Sequence, residues 1–263
     1  MSVLRSRENP RVRRWHALAR DSRVRRSERR ALIEGPHLLA ACLDTGARPQ
    51  AVLVSESGQA KPEIAGLVRR AGLAPVMLTD ALFRWIADAA SPSGIAAEIE
   101  LPQGGTDIAR AAHAVFLDGV QDAGNVGAIL RSGAAFGVDT AVLGPGCADP
   151  WSPKVLRAAM GGHFALHIAE VEDLVAALAR FRGTLVCAVT AGGAPPQALE
   201  LTGNVGWILG AEGKGVSAPV AARAAARTAI PLAQGIESLN VAAAAAVLLY
   251  ERARQLSTRG ARS

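Results

Sequence analysis

Short apolar runs alternate with longer amphipathic segments along the N-terminal third of the chain. The runs at 51–54 and 74–78 predict buried strands, and the segment 61–71 between them has the apolar spacing of a helix. Residues 94–100 alternate apolar and polar side chains, which is the pattern of an edge strand. Residues 1–100 are therefore predicted to form a small α/β module.

The remainder of the chain has strands that are apolar throughout, with helical segments between them. Such strands are typical of a parallel sheet that helices cover on both faces. Residues 113–263 are thus predicted to form a second α/β domain, and the segment 101–112, rich in turn formers, a linker. The strands are predicted at 115–118, 140–143, 164–168, 185–189, 205–209 and 228–231, and the main helices at 126–136, 152–160, 174–181 and 240–256.

The last predicted helix is apolar nearly all round between residues 241 and 250. A helix of this kind must be buried, either in the core of its own domain or against a second subunit. We therefore expect a packing helix and consider it a candidate dimer interface.

Basic charge is concentrated at the N-terminus. Residues 1–35 contain eleven arginines and four acidic residues, whereas the rest of the chain has 18 basic and 19 acidic residues. Arginine binds phosphate well, so the segment is predicted to contact a polyanion such as RNA. The alternative interpretation is a solvated, partly disordered arm.

Several classes of protein are disfavoured by composition. The longest apolar run is far shorter than the ~20 residues of a membrane span, and the N-terminus lacks the apolar core of a secretory signal. The cysteines Cys42, Cys147 and Cys187 are scattered and do not have zinc-ligand spacing. We expect a cytoplasmic protein without a metal site.

Three stretches place polar residues and glycines directly after apolar strands, where an open α/β sheet gathers its ligand site. They are 118–131 (DGVQDAGNVGAILR), 207–215 (WILGAEGKG) and 230–241 (IPLAQGIESLNV).

Familiar nucleotide signatures do not fit these stretches. Gly144-Pro-Gly146 lacks the third glycine of a dinucleotide fingerprint, which disfavours a nicotinamide-dependent oxidoreductase. Gly213-Lys214 is followed by Gly215 where a phosphate loop needs Ser or Thr. A ligand bound through adenine and ribose is therefore favoured over a triphosphate.

Taken singly, the polar residues have ordinary explanations. Asn125 is a candidate helix cap, Arg131 a solvated charge and Glu212 a turn residue, and Ser238-Leu-Asn240 again fits a cap. Their order and spacing, however, resemble the SpoU/TrmH family of RNA ribose 2′-O-methyltransferases, within the SPOUT superfamily. Residues 113–255 carry this resemblance.

The fragment Ile33-Glu-Gly35 with Leu38-Leu39 gives residues 1–100 a weaker similarity to the family's ribosomal-protein-like RNA-binding module. The resemblance implies an α/β fold with a C-terminal SPOUT-type parallel sheet that contains a deep trefoil knot. It also implies S-adenosylmethionine as methyl donor and a homodimer formed through the last helix.

The site residues follow from the positions of the matching motifs. The resemblance implies catalytic roles for Asn125, Arg131, Glu212, Ser238 and Asn240. It implies donor contacts from Leu209, Gly210, Gly215, Ile230, Leu232, Ser238, Leu239 and Asn240. In the basic segment, the candidate RNA contacts are Arg5, Arg7, Arg11, Arg13, Arg14, Arg25 and Arg26.

A guanidinium group stays protonated in proteins, so Arg131 is expected to act electrostatically on an RNA phosphate and the ribose oxygen. The predicted function is methylation of a ribose 2′-hydroxyl in structured RNA, with ribosomal RNA favoured. Transfer RNA as substrate, and a non-catalytic RNA-binding or ribosome-assembly protein on the same scaffold, are the alternatives.

Overall fold

The computed structural model describes residues 3–102 and 107–260. Residues 103–106 of the predicted linker 101–112, and the ends 1–2 and 261–263 of the two predicted domains, lie outside the described residues. The chain separates into two compact units. Unit 1 comprises Met1–Gly104 and Asp149–Phe164, and unit 2 comprises Gly105–Ala148 and Ala165–Ser263.

Unit 1 contains a four-stranded mixed sheet in the order β1-β4-β2-β3. Strand β4 is antiparallel to both of its neighbours, and β2 and β3 are parallel. Its elements before the linker are α1 Pro10–Arg20, α2 Ser22–Glu28, β1 Arg30–Glu34, α3 Pro36–Asp44, β2 Ala51–Ser55, α4 Glu56–Gln59, α5 Pro62–Ala71, β3 Val76–Leu78, α6 Asp80–Ile86 and β4 Ile95–Glu100.

The described part of the basic segment is folded, so its interpretation as a disordered arm is wrong. Helix α1 begins with Pro10 in its first turn, and Asn9 caps it by accepting from the Arg11 amide. Its apolar face buries Val12, Trp15 and Leu18 in the unit 1 core. Arg11, Arg13 and Arg20 occupy exposed positions of this helix.

The prediction that residues 94–100 form an edge strand is wrong, because β4 pairs with strands on both sides. The alternation of polar and apolar residues in β4 does not mark a solvated face, because Glu98 is only 5% exposed. Arg14 binds the Glu98 carboxylate through two hydrogen bonds of 2.8 and 2.9 Å, and the Trp15 indole donates a third of 2.8 Å. Burial raises the pKa of Glu98, but these donors outweigh it and leave the pKa below its usual value.

The remaining elements follow in chain order. They are β5 His113–Asp118, α7 Ala123–Ala135, β6 Thr140–Leu143, α8 Pro153–Ala159, β7 His167–Glu170, α9 Leu174–Arg180, β8 Thr184–Ala188, β9 Val205–Gly210, α10 Ala218–Ala221, β10 Ala226–Thr228 and α11 Val241–Gly260.

Residues 149–164, which include α8, are part of unit 1 although they lie between β6 and β7 in sequence. The guanidinium of Arg25 holds Asp149 with N–O distances of 2.6 and 2.8 Å, and both side chains are almost inaccessible to solvent. Arg157 in α8 forms a second ion pair of 2.7 Å with Asp88. These contacts stabilise the segment against the rest of unit 1.

Unit 2 is built on a parallel sheet of six strands in the order β10-β8-β9-β5-β6-β7. This agrees with the predicted parallel sheet. One core cluster packs α9 against strands that include Phe116 and Ile208. The trefoil knot that the family resemblance implies stays a prediction.

Helix α11 is amphipathic rather than buried all round. Ala242, Ala245, Leu248 and Leu249 are buried, whereas Tyr250 on the opposite side is 56% exposed. Across residues 3–102 and 107–260, none of the helices combines the length and the apolar character needed to span a bilayer.

Candidate active site

The first two motifs lie side by side because β5 and β9 are neighbouring parallel strands. Asp118, at the end of β5, is in register with Gly210 at the end of β9. The Ser217 amide, beyond the glycine loop, donates to the Asp118 carboxylate over 2.7 Å. Both motifs therefore emerge at the carboxyl edge of the sheet, as the sequence predicts.

Asn125 is not the cap of α7, contrary to the interpretation from sequence. The cap is Asp122, whose carboxylate accepts from the Asn125 amide over 2.9 Å. Asp122 has the extended backbone and short acceptor that an N-cap requires. The side chain of Asn125 is thus free to project from the first turn of the helix.

Three side chains, one from each motif, form a hydrogen-bonded network. Asn125 Nδ2 donates to Glu212 Oε1, and Asn240 Nδ2 lies 3.1 Å from the same oxygen. Asn240 Nδ2 also lies 3.0 Å from Asn125 Oδ1. Residues 115 positions apart in sequence therefore contact each other directly. Asn125, Glu212 and Asn240 are hereafter the motif network.

The orientation of the Asn240 amide is set by the start of α11. Its Oδ1 accepts from the Ala242 and Ala243 amides at 2.9 and 3.2 Å, so Asn240 is the helix cap that the sequence suggests. Because the oxygen is used in capping, the NH₂ group is left to face the motif network. Capping thus uses the oxygen of this side-chain amide, and the motif network uses its nitrogen.

The glycine loop after β9 closes on itself so tightly that Gly210 has no room for a side chain. A Cβ atom at Gly210 would lie 2.1 Å from the carbonyl carbon of Gly215 and 2.2 Å from the Val216 nitrogen. The Gly215 amide donates to the Ala211 carbonyl over 2.8 Å and closes the turn. Glycine at 210 is therefore a steric requirement of the loop.

A cleft of about 780 Å³ opens beside the motif network within unit 2. The glycine loop, the ends of β8 and β10, and the segment leading into α11 form its walls. Its lining includes Leu209, Gly210, Gly215, Ile230, Leu232, Ser238, Leu239 and Asn240, which are all eight of the predicted donor contacts.

The cleft has apolar walls and charges of both signs. Leu209, Ile230 and Leu232 contribute aliphatic surface, while Glu212 and Glu237 contribute carboxylates. Lys214 and Arg227 also line it, and neither is among the site residues predicted from the sequence. Arg227 was missed because it follows no motif; its place on the short strand β10 becomes apparent only from the pairing of β10 with β8.

Arg131 does not join the motif network. It is exposed on α7 and is not among the described residues that line the cleft. Six residues of α-helix carry it ~9 Å along the axis and ~120° around it from Asn125. Ser238, by contrast, lines the cleft.

The candidate RNA contacts in unit 1 fall into two groups. Arg25 is 4% exposed and bound to Asp149, and the half-buried Arg14 is held by Glu98 and Glu28. We therefore leave Arg25 and Arg14 out of the proposed RNA-binding set, because both are engaged in holding unit 1 together. Solvent-exposed residues make up the second group, namely Arg5, Arg7, Arg11, Arg13 and Arg26.

An aromatic cluster lies beside these arginines. The rings of His16 and Trp85 stack at 3.8 Å with an interplanar angle of 8°, and the Arg7 guanidinium lies 5.3 Å from the Trp85 ring. Burial, followed by the charges of Arg20 and Arg7, lowers the pKa of His16. An aromatic surface flanked by arginines is suited to nucleic acid.

Residues 9–97 match the MRM3-like substrate binding domain, and residues 112–250 match the SpoU rRNA Methylase family. Over 256 residues, the chain is 31% identical to the 23S rRNA (guanosine(2553)-2'-O)-methyltransferase RlmP of Bacillus subtilis (strain 168). That alignment covers 95% of this chain and 98% of the relative. The chain belongs to the SpoU rRNA methylase family.

Other members support the same assignment. The mitochondrial rRNA methyltransferase 3 of Mus musculus is 28% identical over 290 residues, which cover 88% of this chain and 69% of that protein. The AdoMet-bound rRNA methyltransferase of Sinorhizobium meliloti superposes with a TM-score of 0.82 at 25% identity, covering 97% and 98% of the two chains. The predicted family and fold class are thereby confirmed.

Within residues 3–102 and 107–260, no three or more His, Cys, Asp or Glu side chains are arranged around a common point that could hold a metal ion.

Proposed function

We propose that this protein transfers a methyl group from S-adenosylmethionine to a ribose 2′-hydroxyl of ribosomal RNA. The observation that carries the proposal is the motif network, in which Asn125, Glu212 and Asn240 meet at the edge of the cleft. The relatives named as ribosomal RNA methyltransferases favour this substrate over transfer RNA.

The cleft suits S-adenosylmethionine in shape and chemistry. Its volume of about 780 Å³ leaves room for the donor and for part of a nucleotide. We propose that Leu209, Ile230 and Leu232 pack against the adenine, while backbone groups of the loop before α11 bind its polar edge. When bound, the donor supplies an activated methyl group on a sulfonium. The residues of the chain then have to hold it and align the ribose oxygen.

Arg131 is proposed to bind the phosphate of the target nucleotide and to stabilise negative charge that develops on the ribose oxygen. Its exposed position on α7 is compatible with an RNA contact. Arg131→Ala is expected to reduce methyl transfer by at least about 100-fold while donor binding changes little. Calorimetry with S-adenosylmethionine, alongside a methyl-transfer assay, checks both parts. Full activity of this variant would remove Arg131 from the mechanism.

We further propose that the protein is a homodimer in which α11 packs against its counterpart. Val247 and Tyr250, one helical turn apart on the same face, are 43% and 56% exposed and form an apolar surface. Tyr250→Glu would place a charge on that surface. It is expected to yield a monomer in analytical ultracentrifugation. A variant that sediments like the wild type would exclude this face.

Ribosomal RNA can be distinguished from the alternatives in one assay. Purified protein is incubated with methyl-labelled S-adenosylmethionine and with either ribosomal or transfer RNA from a strain that lacks the protein. Label in ribosomal RNA supports the proposal, whereas label in transfer RNA alone favours the tRNA enzyme. A protein that binds RNA but not S-adenosylmethionine would be the non-catalytic alternative.

We place the activity in the cytoplasm, together with the RNA substrate.

A further inference from the structure

Methylation of a ribose hydroxyl requires a group that accepts its proton. The guanidinium of Arg131 is not suited to this role because it stays protonated in proteins. The ionisable side chains that line the cleft are Glu212, Glu237, Lys214, Arg227 and Cys187. Lys214 and Arg227 are cations, and burial raises the pKa of the Cys187 thiol. The carboxylates are therefore the acceptors to consider.

Glu212 differs from Glu237 in being fixed in position. Its Oε1 accepts from the side-chain amides of both Asn125 and Asn240. Within residues 3–102 and 107–260, no hydrogen bond that fixes the Glu237 carboxylate is found. A proton acceptor must be held in place relative to the hydroxyl, because proton transfer needs hydrogen-bond distance.

The polarity of the motif network makes Glu212 Oε1 a hydrogen-bond acceptor. Asn240 uses its oxygen to cap α11, and Asn125 Oδ1 accepts from Asn240 Nδ2. Both groups that face Glu212 Oε1 are thus N–H donors, so this oxygen carries no proton. Among the described residues, no hydrogen bond to Oε2 is found, and Glu212 is exposed at the cleft.

We propose that Oε2 of Glu212 accepts the proton of the ribose 2′-hydroxyl during methyl transfer. The O–H bond breaks and its proton passes to the carboxylate, while the ribose oxygen forms a bond to the methyl carbon. The electron pair of the broken carbon–sulfur bond stays on sulfur and leaves a neutral thioether. The two asparagines hold Oε1, so that Oε2 faces the ribose. This inference rests on the proposed function.

Two substitutions separate proton acceptance from a structural role. Glu212→Gln keeps an oxygen that accepts from both asparagines but removes the basic carboxylate. Glu212→Asp keeps a carboxylate but shortens the side chain by one methylene and loosens the motif network. A proton acceptor predicts activity in the order Glu, then Asp, then Gln. A purely structural residue predicts that Gln equals or exceeds Asp.

The experiment measures single-turnover methyl transfer to ribosomal RNA from a strain that lacks the protein. The Gln variant is expected to lose about 10²–10⁴-fold in rate. Calorimetric affinity for S-adenosylmethionine is measured on every variant, and the Gln variant is expected to bind the donor as the wild type does. Glu172→Gln, an exposed carboxylate before α9, serves as the control with unchanged rate.

Each result decides between the two roles. A Gln variant that is as active as the Asp variant, or more active, overturns the inference while the proposed function stands. A Gln variant that no longer binds the donor also overturns it, because the substitution would then have acted through the cleft. An inactive wild-type protein would refute the proposed function itself.

Discussion

At the scale of single residues, Asn240 both caps the last helix and takes part in the motif network. Its oxygen caps α11, and its nitrogen donates to the motif network. An asparagine can serve both purposes because it carries an acceptor and a donor on one planar group. Aspartate lacks the donor, and serine carries donor and acceptor on one short hydroxyl instead of on two separate atoms.

Substitutions at Asn240 should therefore separate stability from activity. Asn240→Ser keeps a capping oxygen but loses the amide donor, so methyl transfer should fall with little change in stability. Asn240→Ala loses both and should also lower the free energy of unfolding by about 1 kcal/mol. Denaturant unfolding and a methyl-transfer assay on the two variants check this. Equal stabilities would mean that the cap contributes nothing.

The sequence predicts which residues come together in the fold better than it predicts their local roles. All eight expected donor contacts line one cleft, because motif spacing fixes which strand ends carry them. The ordinary explanation of Asn125 as the cap of α7 is wrong, since Asp122, three positions earlier and an equally good capping residue, occupies the cap. Sequence alone does not show which of two such residues has the extended backbone of a cap.

At the scale of elements, the glycine loop after β9 sets the shape of the cleft. Gly210→Ala is expected to force the loop open, because the added Cβ would overlap the backbone of Gly215. Binding of S-adenosylmethionine should weaken at least about tenfold, as measured by calorimetry. Gly203→Ala is the matched control, since a Cβ there meets nothing within 4 Å and the backbone is not left-handed. Equal loss in both variants would contradict this account.

Strand β4 shows why the strand order of the unit 1 sheet was not predicted from the sequence. Alternation normally indicates a solvated face, but Glu98 is buried under Arg14 and Trp15. The partner strand β1 is also missing from the predicted elements, because its five residues follow directly on a polar, Arg-rich helical region. The pairing of β1 with β4 and the burial of Glu98 under Arg14 are long-range contacts, which a single sequence does not show.

At the scale of the whole chain, unit 1 is proposed to supply the electrostatic part of RNA binding. Deleting residues 1–30, the obvious test from sequence, would also remove Val12, Trp15 and Leu18 from the core. Arg7→Gln and Arg13→Gln avoid this, because both side chains lie on the surface. Each should weaken binding to ribosomal RNA and lower the slope of log affinity against log salt by about one.

The control for this measurement is Arg180→Gln, which changes an exposed arginine of unit 2 outside the proposed contact set. Filter binding at several salt concentrations gives the slopes. If all three variants keep the wild-type slope, Arg7 and Arg13 do not bind phosphate. If all three lower it equally, the contact is not confined to unit 1.

Each unit also contains a buried histidine that should make the protein sensitive to acid. Burial lowers the pKa of His113 and of His163 to about 4. His113 Nε2 accepts from the Trp207 indole over 3.1 Å, which requires this nitrogen to be unprotonated. Below the ordinary histidine pKa of ~6.5, the unfolded chain takes up a proton that the folded chain excludes.

The contribution of the two histidines to the free energy of unfolding should therefore be fully present above pH ~6.5. It should decrease as the pH drops toward about 4, by about 1–3 kcal/mol for each histidine. Urea unfolding followed by tryptophan fluorescence between pH 4 and pH 7 measures this slope. His113→Gln should reduce it by removing one titrating group. An unchanged slope in that variant would show that His113 is not involved.

The membership of residues 149–164 in unit 1 could not be predicted from the sequence. Local periodicity identifies the helix around 152–160 but carries no information about which core it joins. That choice depends on Arg25 meeting Asp149, two residues that are 124 positions apart. Pairings of this range emerge only in the folded chain.

The most direct test of the proposed function is to identify the methylated nucleoside. Ribosomal RNA from a strain lacking the protein is incubated with the purified chain and S-adenosylmethionine, digested to nucleosides and analysed by mass spectrometry. The account predicts one new 2′-O-methylated nucleoside that is absent when Arg131→Ala replaces the wild type. A methyl group on a base, or no new methyl group with donor and RNA both bound, would contradict it.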